Sequence, residues 1–450
     1  MAGQGIGRRQ FLKGTAAGAA AAGAAVSLIG TTALGANDKL VCGFIGLGGR
    51  GRQLVGHVLK RDDTHVAYLC DLDTTRHGRG VKAVEKAGGK APKVIADYRR
   101  MLDDKALHVV FNATPDHWHC LPVIHACQAG KDAYVEKPLS HNIWEGRQAV
   151  RAARKYKRVV QVGIQNRSAP YNLAARQYIA DGKLGKIHLV RVFNMKNRGR
   201  VEKQPDGKPP EGVDYDRWLG PAPARPFNPN RFHYKWHWFW DFSGGDIIND
   251  GVHQIDLARM LVGRTTPSTV VTTGGKFAFV GDAQDTPDTQ NVHWQYDGLT
   301  MTFELTLWTP YMRKTPWKFR NTDAYPHWPF NATRIELYGE KGLMMMGRHG
   351  GGWQVFGADG KVAADGPGRR PSDDHIANLF DCVRSRKRPN ADAEEGHLST
   401  VLCHMANISY RVGGRRLAYD AAKEQFVDDP AANKLVKRPG RAPYQIPEEV

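Results

Sequence analysis

The sequence predicts a doubly wound, parallel α/β domain followed by a second, sheet-based domain. Three observations predict it: an apolar run that ends in a glycine-rich turn, apolar runs alternating with helical stretches from Leu40 to Gly163, and longer β-like runs after Arg167. At 450 residues the chain is long enough for two or three domains and a sizeable core. Hydrophobic residues (41%) and charged residues (24%) stand in ordinary globular proportion, which excludes a disordered chain, a collagen and a multi-span membrane protein. Lys and Arg (64) exceed Asp and Glu (45) as scattered pairs such as Arg99–Arg100 and Arg369–Arg370, so no nucleic-acid partner is expected. The six cysteines form no CxxC pair and read as small buried thiols, although an exported protein would leave a disulfide open.

Residues 1–36 read as an address. Gly7-Arg8-Arg9-Gln10-Phe11-Leu12-Lys13 precedes an Ala/Gly-rich stretch that ends near Gly35-Ala36, a basic start, a weakly hydrophobic middle and a small-residue exit. The stretch is dilute in large hydrophobes and interrupted by Gly14, Gly18, Gly23 and Gly30, unlike a membrane span. The Arg-Arg-x-Phe-Leu-Lys pattern resembles a twin-arginine signal and implies export, to the periplasm or beyond, of a chain already folded around its cofactor.

Leu40-Val41-Cys42-Gly43-Phe44-Ile45 reads as a buried parallel strand. It feeds into Gly46-Leu47-Gly48-Gly49-Arg50-Gly51, a GxGxxG turn, and then a helix from Gln53 to Leu59. Gly46 allows the tight turn, Gly48 lets a pyrophosphate approach the backbone and Gly51 lets helix and strand pack closely. The diphosphate would rest on amides at the helix N-terminus. A second run, Val66 to Cys70, ends in Asp71, 20 residues after Gly51, where an acid accepts ribose hydroxyls and repels a 2′-phosphate. NAD is therefore expected, with NADP as the second option because Arg76 is close by.

A helix from Tyr98 to Leu102, a strand from Leu107 to Ala113, a helix from His119 to Ala129 capped by Gly130, and strands at Asp132–Val135 and Val159–Gly163 complete the first domain. Ligands of such sheets lie beyond the carboxyl ends of the strands. Three ends are polar: Thr114-Pro115-Asp116-His117, Glu136-Lys137-Pro138 and Gln165-Asn166-Arg167. A lysine amine at position 137 can steer the proton of a substrate hydroxyl.

The glycine turn, the Ala-Thr-Pro segment from Ala113 to His117, the Glu136-Lys137-Pro138 triplet and the later stretch Gly244 to Asp256 resemble the glucose–fructose oxidoreductase / inositol dehydrogenase / MocA family from about Lys39 to about Asp420. The resemblance implies a Rossmann domain followed by an α+β domain with an open, mostly antiparallel sheet, the active site lying between them. It implies Lys137 and His253 as the catalytic pair, with Asn249 where many members have an aspartate. Its cofactor-binding set is Gly46, Gly48, Gly49, Arg50, Gly51, Asp71, Thr114, Pro115, His117, Glu136, Lys137 and Gln165. Asp256, three residues after His253, is on the helical face that could orient the imidazole. A helix start at Gly251 would hold that imidazole neutral.

In the second domain, β-like runs at Ile187–Phe193, Ser268–Val280, Thr300–Trp308, Arg334–Tyr338 and Trp353–Phe356 precede two helices, Asp374–Val383 and Leu398–Val412, expected to brace the first domain. From Phe232 to Phe242 aromatics fall at every second position, which as a strand would set six on one face, either in the core or as a platform for sugar rings. Arg167, His233, Trp236, His237, Trp238, Asp250 and Asp256 are the expected substrate-binding residues. The spacing of His233 and His237, or of His117 and His119, places no third ligand, so no metal is expected. Gly220 to Pro229 forms a wall, and Lys434 to Pro447 a tail or an arm against another subunit.

The expected organisation is a signal at 1–36, a nucleotide domain at 37–165, a sheet-based substrate and oligomerisation domain at 166–420 and a C-terminal arm at 421–450. The expected function is an exported oxidoreductase that moves hydride between a carbohydrate or polyol and a tightly bound NAD. Two alternatives stand beside it: a glycosidase working through transient sugar oxidation, and a sugar-binding relative without chemistry.

Overall fold

The computed structural model describes residues 38–450, so the signal-like segment lies outside the described residues. Six short strands build the first sheet: β1 (Leu40–Ile45), β2 (Thr64–Cys70), β3 (Lys93–Ile95), β4 (Val109–Asn112), β5 (Asp132–Val135) and β6 (Val160–Val162). They pair in parallel in the order β3-β2-β1-β4-β5-β6. Every residue of β4 and β5 is buried, which fits the apolar runs Val109-Val110-Phe111 and Ala133-Tyr134-Val135 within them. The order reverses between β1 and β4, and a crevice opens there beyond the strand ends.

Ten strands make the second sheet: β7 (Ile187–Met195), β8 (Thr269–Gly275), β9 (Thr289–Tyr296), β10 (Leu299–Thr306), β11 (Arg334–Gly339), β12 (Gly342–Gly347), β13 (Trp353–Phe356), β14 (Val362–Gly366), β15 (Leu417–Asp420) and β16 (Gln425–Phe426). Their order is β14-β13-β12-β11-β7-β10-β9-β8-β15-β16, antiparallel throughout except for the parallel pair β7–β10. Leu299, Met301, Phe303 and Leu305 alternate inward from β10, a period-2 pattern with one face on the core. β8 stops at Gly275, short of the expected Val280. The Asp288 carboxylate there accepts the backbone N–H groups of Phe277, Ala278 and Phe279 and turns the chain out of the sheet.

Helices Ser372–Ser385 and Ala393–Arg411 return to the first sheet. Gly396 lies so close to Val162 that a Cβ there would come within 2.4 Å of it. All six cysteines are buried and free. The aromatic run departs from its expected form: it forms no strand, and its regular part is a single 3₁₀ turn, Lys235–Trp238. Its rings collapse in several directions, Phe232 and Phe242 edge-on or tilted against Trp218 at 5.1 Å, so burial overrides the alternating pattern.

The C-terminal segment lies along its own chain, where Arg438 pairs with Glu145 at 2.6 Å and Tyr444 packs edge-on against Trp118 at 5.3 Å.

Candidate active site

A cavity of about 650 Å³ runs from the end of β2, past the glycine turn, to the segments above the second sheet. Gly46 sits at φ +86°, and a Cβ there would meet the Ala113 carbonyl oxygen at 2.7 Å. A Cβ on Gly51 would lie 1.9 Å from the Gly46 carbonyl oxygen. Only glycine lets this turn close against β4 and the helix Gly49–Val58 start under it, which is the backbone cradle a dinucleotide diphosphate needs.

Arg50 leaves the turn to bind Glu136 at 2.6 Å, and Glu136 also accepts the Tyr134 hydroxyl at 3.0 Å. Burial alone would raise the Glu136 carboxyl, but Arg50 and Lys137 hold it below its ordinary range. Asp71, at the end of β2, accepts N–H bonds from Leu47 (2.6 Å) and Asp73 (2.9 Å), with Arg76 at 3.9 Å. Gly48, Gly49, Thr114, Pro115 and Gln165 also line the cavity, so these residues fit a bound NAD.

At the other end, Lys137 Nζ donates to the Asn249 main-chain oxygen at 2.6 Å and to Asn249 Oδ1 at 3.3 Å. Asn249 lies in a π-helical turn, Ile247–Gly251, that leads into the helix Val252–Val262. Such turns carry an extra residue per loop and recur at functional sites. His253, second in that helix, is buried, lines the same cavity and leaves Nδ1 without a partner. Burial first, then the charges of Arg348, His349 and Lys137, hold His253 well below the ordinary histidine value. The expected helix-terminus effect is therefore not the main cause of its neutrality. His349 meets it edge-on at 4.7 Å.

Several expected site residues lie elsewhere. Asp256 does not touch His253; it binds Arg167 at 2.7 Å and Ser399 at 2.6 Å in a buried network outside the cavity. His117 faces away from the cofactor crevice and pairs with the Trp218 carbonyl at 2.9 Å, whereas His119 lines the cavity. Trp238 is buried against Arg198 outside the cavity. Trp236 and His237 line the cavity as a stacked pair 3.7 Å apart. His233 sits toward the ribose side, beside Arg76 and Asp73. Asp250 is pinned by Lys196, Arg198, Lys314 and Arg348.

Lys314, Arg320, Arg348, His349 and Tyr444 line the cavity without having been singled out in the sequence. A signal existed for two of them. Arg348-His349-Gly350-Gly351-Gly352 has positive φ from His349 through Gly352, a loop that bends Arg348 and His349 inward.

Glycine cradle, ribose-facing acid, amine and neutral imidazole in one crevice define a two-domain, dinucleotide-binding enzyme. The comparisons assign the family. The model for "Oxidoreductase family, NAD-binding Rossmann fold" matches residues 40–164, and that for "Oxidoreductase family, C-terminal alpha/beta domain" matches 187–297 and 364–446. The chain belongs to the Gfo/Idh/MocA oxidoreductase family.

It is 30% identical to levoglucosan dehydrogenase of Pseudarthrobacter phenanthrenivorans over 37% of this chain and 36% of that protein. It is 37% identical to a glycosyl hydrolase family 109 protein of Stenotrophomonas maltophilia over 27% of this chain and 28% of that protein. With an oxidoreductase of Bacillus subtilis, YrbE, it shares 24% identity over 50% of this chain and 54% of the other. The matches thus span about half or less of these relatives' length. Among solved structures, the WlbA dehydrogenase of Bordetella pertussis, in complex with NADH and UDP-GlcNAcA, superposes with a TM-score of 0.61 at 20% identity, covering 85% of this chain and 99% of that one. A levoglucosan dehydrogenase complex with NADH and levoglucosan gives 0.61 at 19%, covering 87% and 100%. At these identities the likeness establishes the fold.

Proposed function

We propose that the protein is an exported, NAD-dependent oxidoreductase that oxidises or reduces a ring carbon of a carbohydrate or polyol. One observation carries the reading: Lys137 is bonded to the turn that leads into the His253 helix, in the cavity that holds the glycine cradle. Bound nicotinamide supplies a two-electron hydride acceptor or donor. The chain supplies the rest. His253, held neutral, takes the proton of the substrate hydroxyl as its carbon is oxidised. Lys137 donates a hydrogen bond to the same oxygen, and Asn249 fixes the amine. Levoglucosan dehydrogenase, a relative by sequence, supports a sugar substrate.

Tight retention of NAD is supported by the C-terminal segment: Pro443 and Tyr444 line the cavity beside Tyr98 and Trp118, roofing the end below β2. Export rests on Arg8 and Arg9 and the Ala/Gly-rich stretch after them, which lie outside the described residues. We also propose a homo-oligomer formed through the open second sheet, where Trp308 and Tyr311 stand exposed in the segment that follows the central strand β10. Light scattering of the purified protein tests it, a monomer at every concentration being the contrary result.

A second reading is favoured by the glycosyl hydrolase family 109 relatives, at 30–37% identity over 24–31% of this chain. In it, transient oxidation beside the anomeric carbon allows elimination of the aglycone and addition of water, and the hydride then returns. One experiment separates the two readings. The exported protein is checked for bound NAD by mass spectrometry and then incubated with glycosides. A keto sugar or lactone supports the first reading and two free sugars the second; no bound nucleotide overturns both.

A further inference from the structure

Cations outnumber acids at the substrate end of the cavity. Asp250 faces Lys196, Arg198, Lys314 and Arg348, and Lys196 and Arg198 also face Asp246. Two carboxylates thus meet four basic side chains, of which Lys196 is pressed down to about 7 by burial. Arg348 is 7% exposed and bonds Asp250 at 2.8 Å through Nη2, yet its Nε and Nη1 are buried with no partner.

Arg320 comes next. It gives Nε to the Thr315 carbonyl at 2.6 Å and makes no ion pair among the described residues. Its guanidinium and that of Arg370 flank Trp317 at 5.5 Å and 5.4 Å from the ring centre. Burial and the charges of Arg348 and Arg370 press Arg320 down to about 10, so these arginines repel one another across a space with too little negative charge.

The arrangement is built. Gly350 would carry a Cβ 2.7 Å from the Arg320 Cα, and a Cβ on Gly351 would come within 2.9 Å of Thr315, so the glycines let the two cation-bearing segments lie against each other. Buried unpaired cations are costly, and a ligand that completes them gains charge-assisted bonds. Arg50, at the glycine turn, is paired with Glu136 and adds nothing to this excess. Arg370 borders both regions.

We propose that the substrate sugar bears an anionic oxygen group, a carboxylate, sulfate ester or phosphate ester, bound by Arg348, Lys314 and Arg320 beside the carbon that reacts. The inference rests on the sugar-oxidoreductase reading above and narrows its substrate class. His253 touches His349, the neighbour of Arg348, so the anion would sit close to the reacting alcohol.

The test uses the full chain loaded with NADH. Calorimetric titrations compare glucuronate, galacturonate, glucose 6-sulfate, glucose 6-phosphate, glucose and inorganic sulfate. At least one charged sugar is expected to bind about 10-fold or more tightly than glucose, and more weakly as salt is raised. Arg320→Gln and Lys314→Gln, both nearer solvent than Arg348, are each expected to reduce that preference several-fold while NADH affinity and Tm hold. Charged sugars that bind no better than glucose overturn the proposal. So does a charged-to-neutral ratio unmoved by both variants, and so does sulfate binding as tightly as every charged sugar, which marks an inorganic-anion site only. Absorbance at 340 nm, followed with the NAD⁺ form, separates the two claims. Variant-sensitive binding without reduction of NAD⁺ keeps the anion site and sinks the oxidoreductase reading. Reduction by neutral sugars without preference does the reverse.

Discussion

The two ends of the cavity are built on opposite principles. Around the glycine turn, position comes from side chains that are absent: Gly46 and Gly51 let backbone touch backbone, and the arginine that the turn itself carries, Arg50, has its own carboxylate. Around His253, position comes from long charged side chains that converge from the segment just after β7, the 314–320 segment and the 348–352 loop, with cations in excess. A shape made of backbone suits a constant ligand such as a dinucleotide. A set of cations on separate loops suits a ligand that differs between relatives sharing a fold. If the two ends are separate in this way, a change at one leaves ligand binding at the other within a few-fold.

The largest effect is expected at the seam that joins the two ends. His117 pairs with the Trp218 carbonyl, His141 with that of Trp240, His404 with that of Ser140 and His375 with that of Val162, each bond crossing from one sheet-bearing half to the other. Burial lowers all four: His117 and His375 to about 3, His404 to about 4, and His141 well below its ordinary value. In the unfolded chain they take up protons near pH 6.5, while the native form excludes them. Stability is therefore full above pH 6.5 and falls as pH drops toward the native values, by up to about 1.4 kcal/mol per unit for each histidine. Between pH 6.5 and 5.5 the four together lose at most about 5 kcal/mol. Denaturant midpoints across that range check it; a flat profile would mean that the seam is not closed by neutral histidines.

Next comes the chemistry. Lys137→Met and His253→Gln are each expected to lower kcat by about 10³-fold, within the usual reach of a positioned proton carrier. NADH affinity should stay within a few-fold, because neither side chain shapes the glycine cradle. Single-turnover rates and NADH titrations check it together. Because His253 is held low, kcat/KM should show no acid limb near pH 6.5; a limb at that value would assign the proton to another group.

How much of this was legible in the sequence follows the same contrast. The cofactor end is local: a strand, GxGxxG and an acid at the next strand end lie within about thirty residues, and each has a steric or electrostatic requirement readable from residue type. Lys137 and His253 were legible through motif resemblance, since 116 positions separate them. Lys314, Arg320 and Arg348 were not, because nothing in the spacing of three surface-type cations announces that β-strand pairing will stack their loops. The aromatic run misled for the same reason. Alternation predicts a strand only where a partner strand exists, and Trp218 drew the rings into a cluster instead. Asp256 lies on the helical face that helix geometry gave it, but Arg167 and Ser399 claim its carboxylate oxygen.

Gly51→Ala strikes the other end. Its methyl would lie 1.9 Å from the Gly46 carbonyl oxygen, so the turn must open and NADH binding is expected to weaken by about 10²-fold. Binding of charged sugars to the cofactor-free protein should be unaffected within a few-fold. If both weaken in parallel, the ends are mechanically one unit and the contrast fails.

The smallest effect concerns which dinucleotide fits. Asp71 spends one lone pair of each oxygen on Leu47 and Asp73, leaving its charge at the cavity wall with Arg76 3.9 Å away. A 2′-phosphate brought there meets the carboxylate before the guanidinium. Asp71→Ser removes the repulsion and frees Arg76, so the NADPH-to-NADH affinity ratio should rise by about 10-fold, even though NADH itself binds less well. Competition titrations with the two reduced cofactors give that ratio directly. An unchanged ratio would place the adenosine ribose away from the end of β2, and the cofactor end would then need a different account from the one its glycines supply.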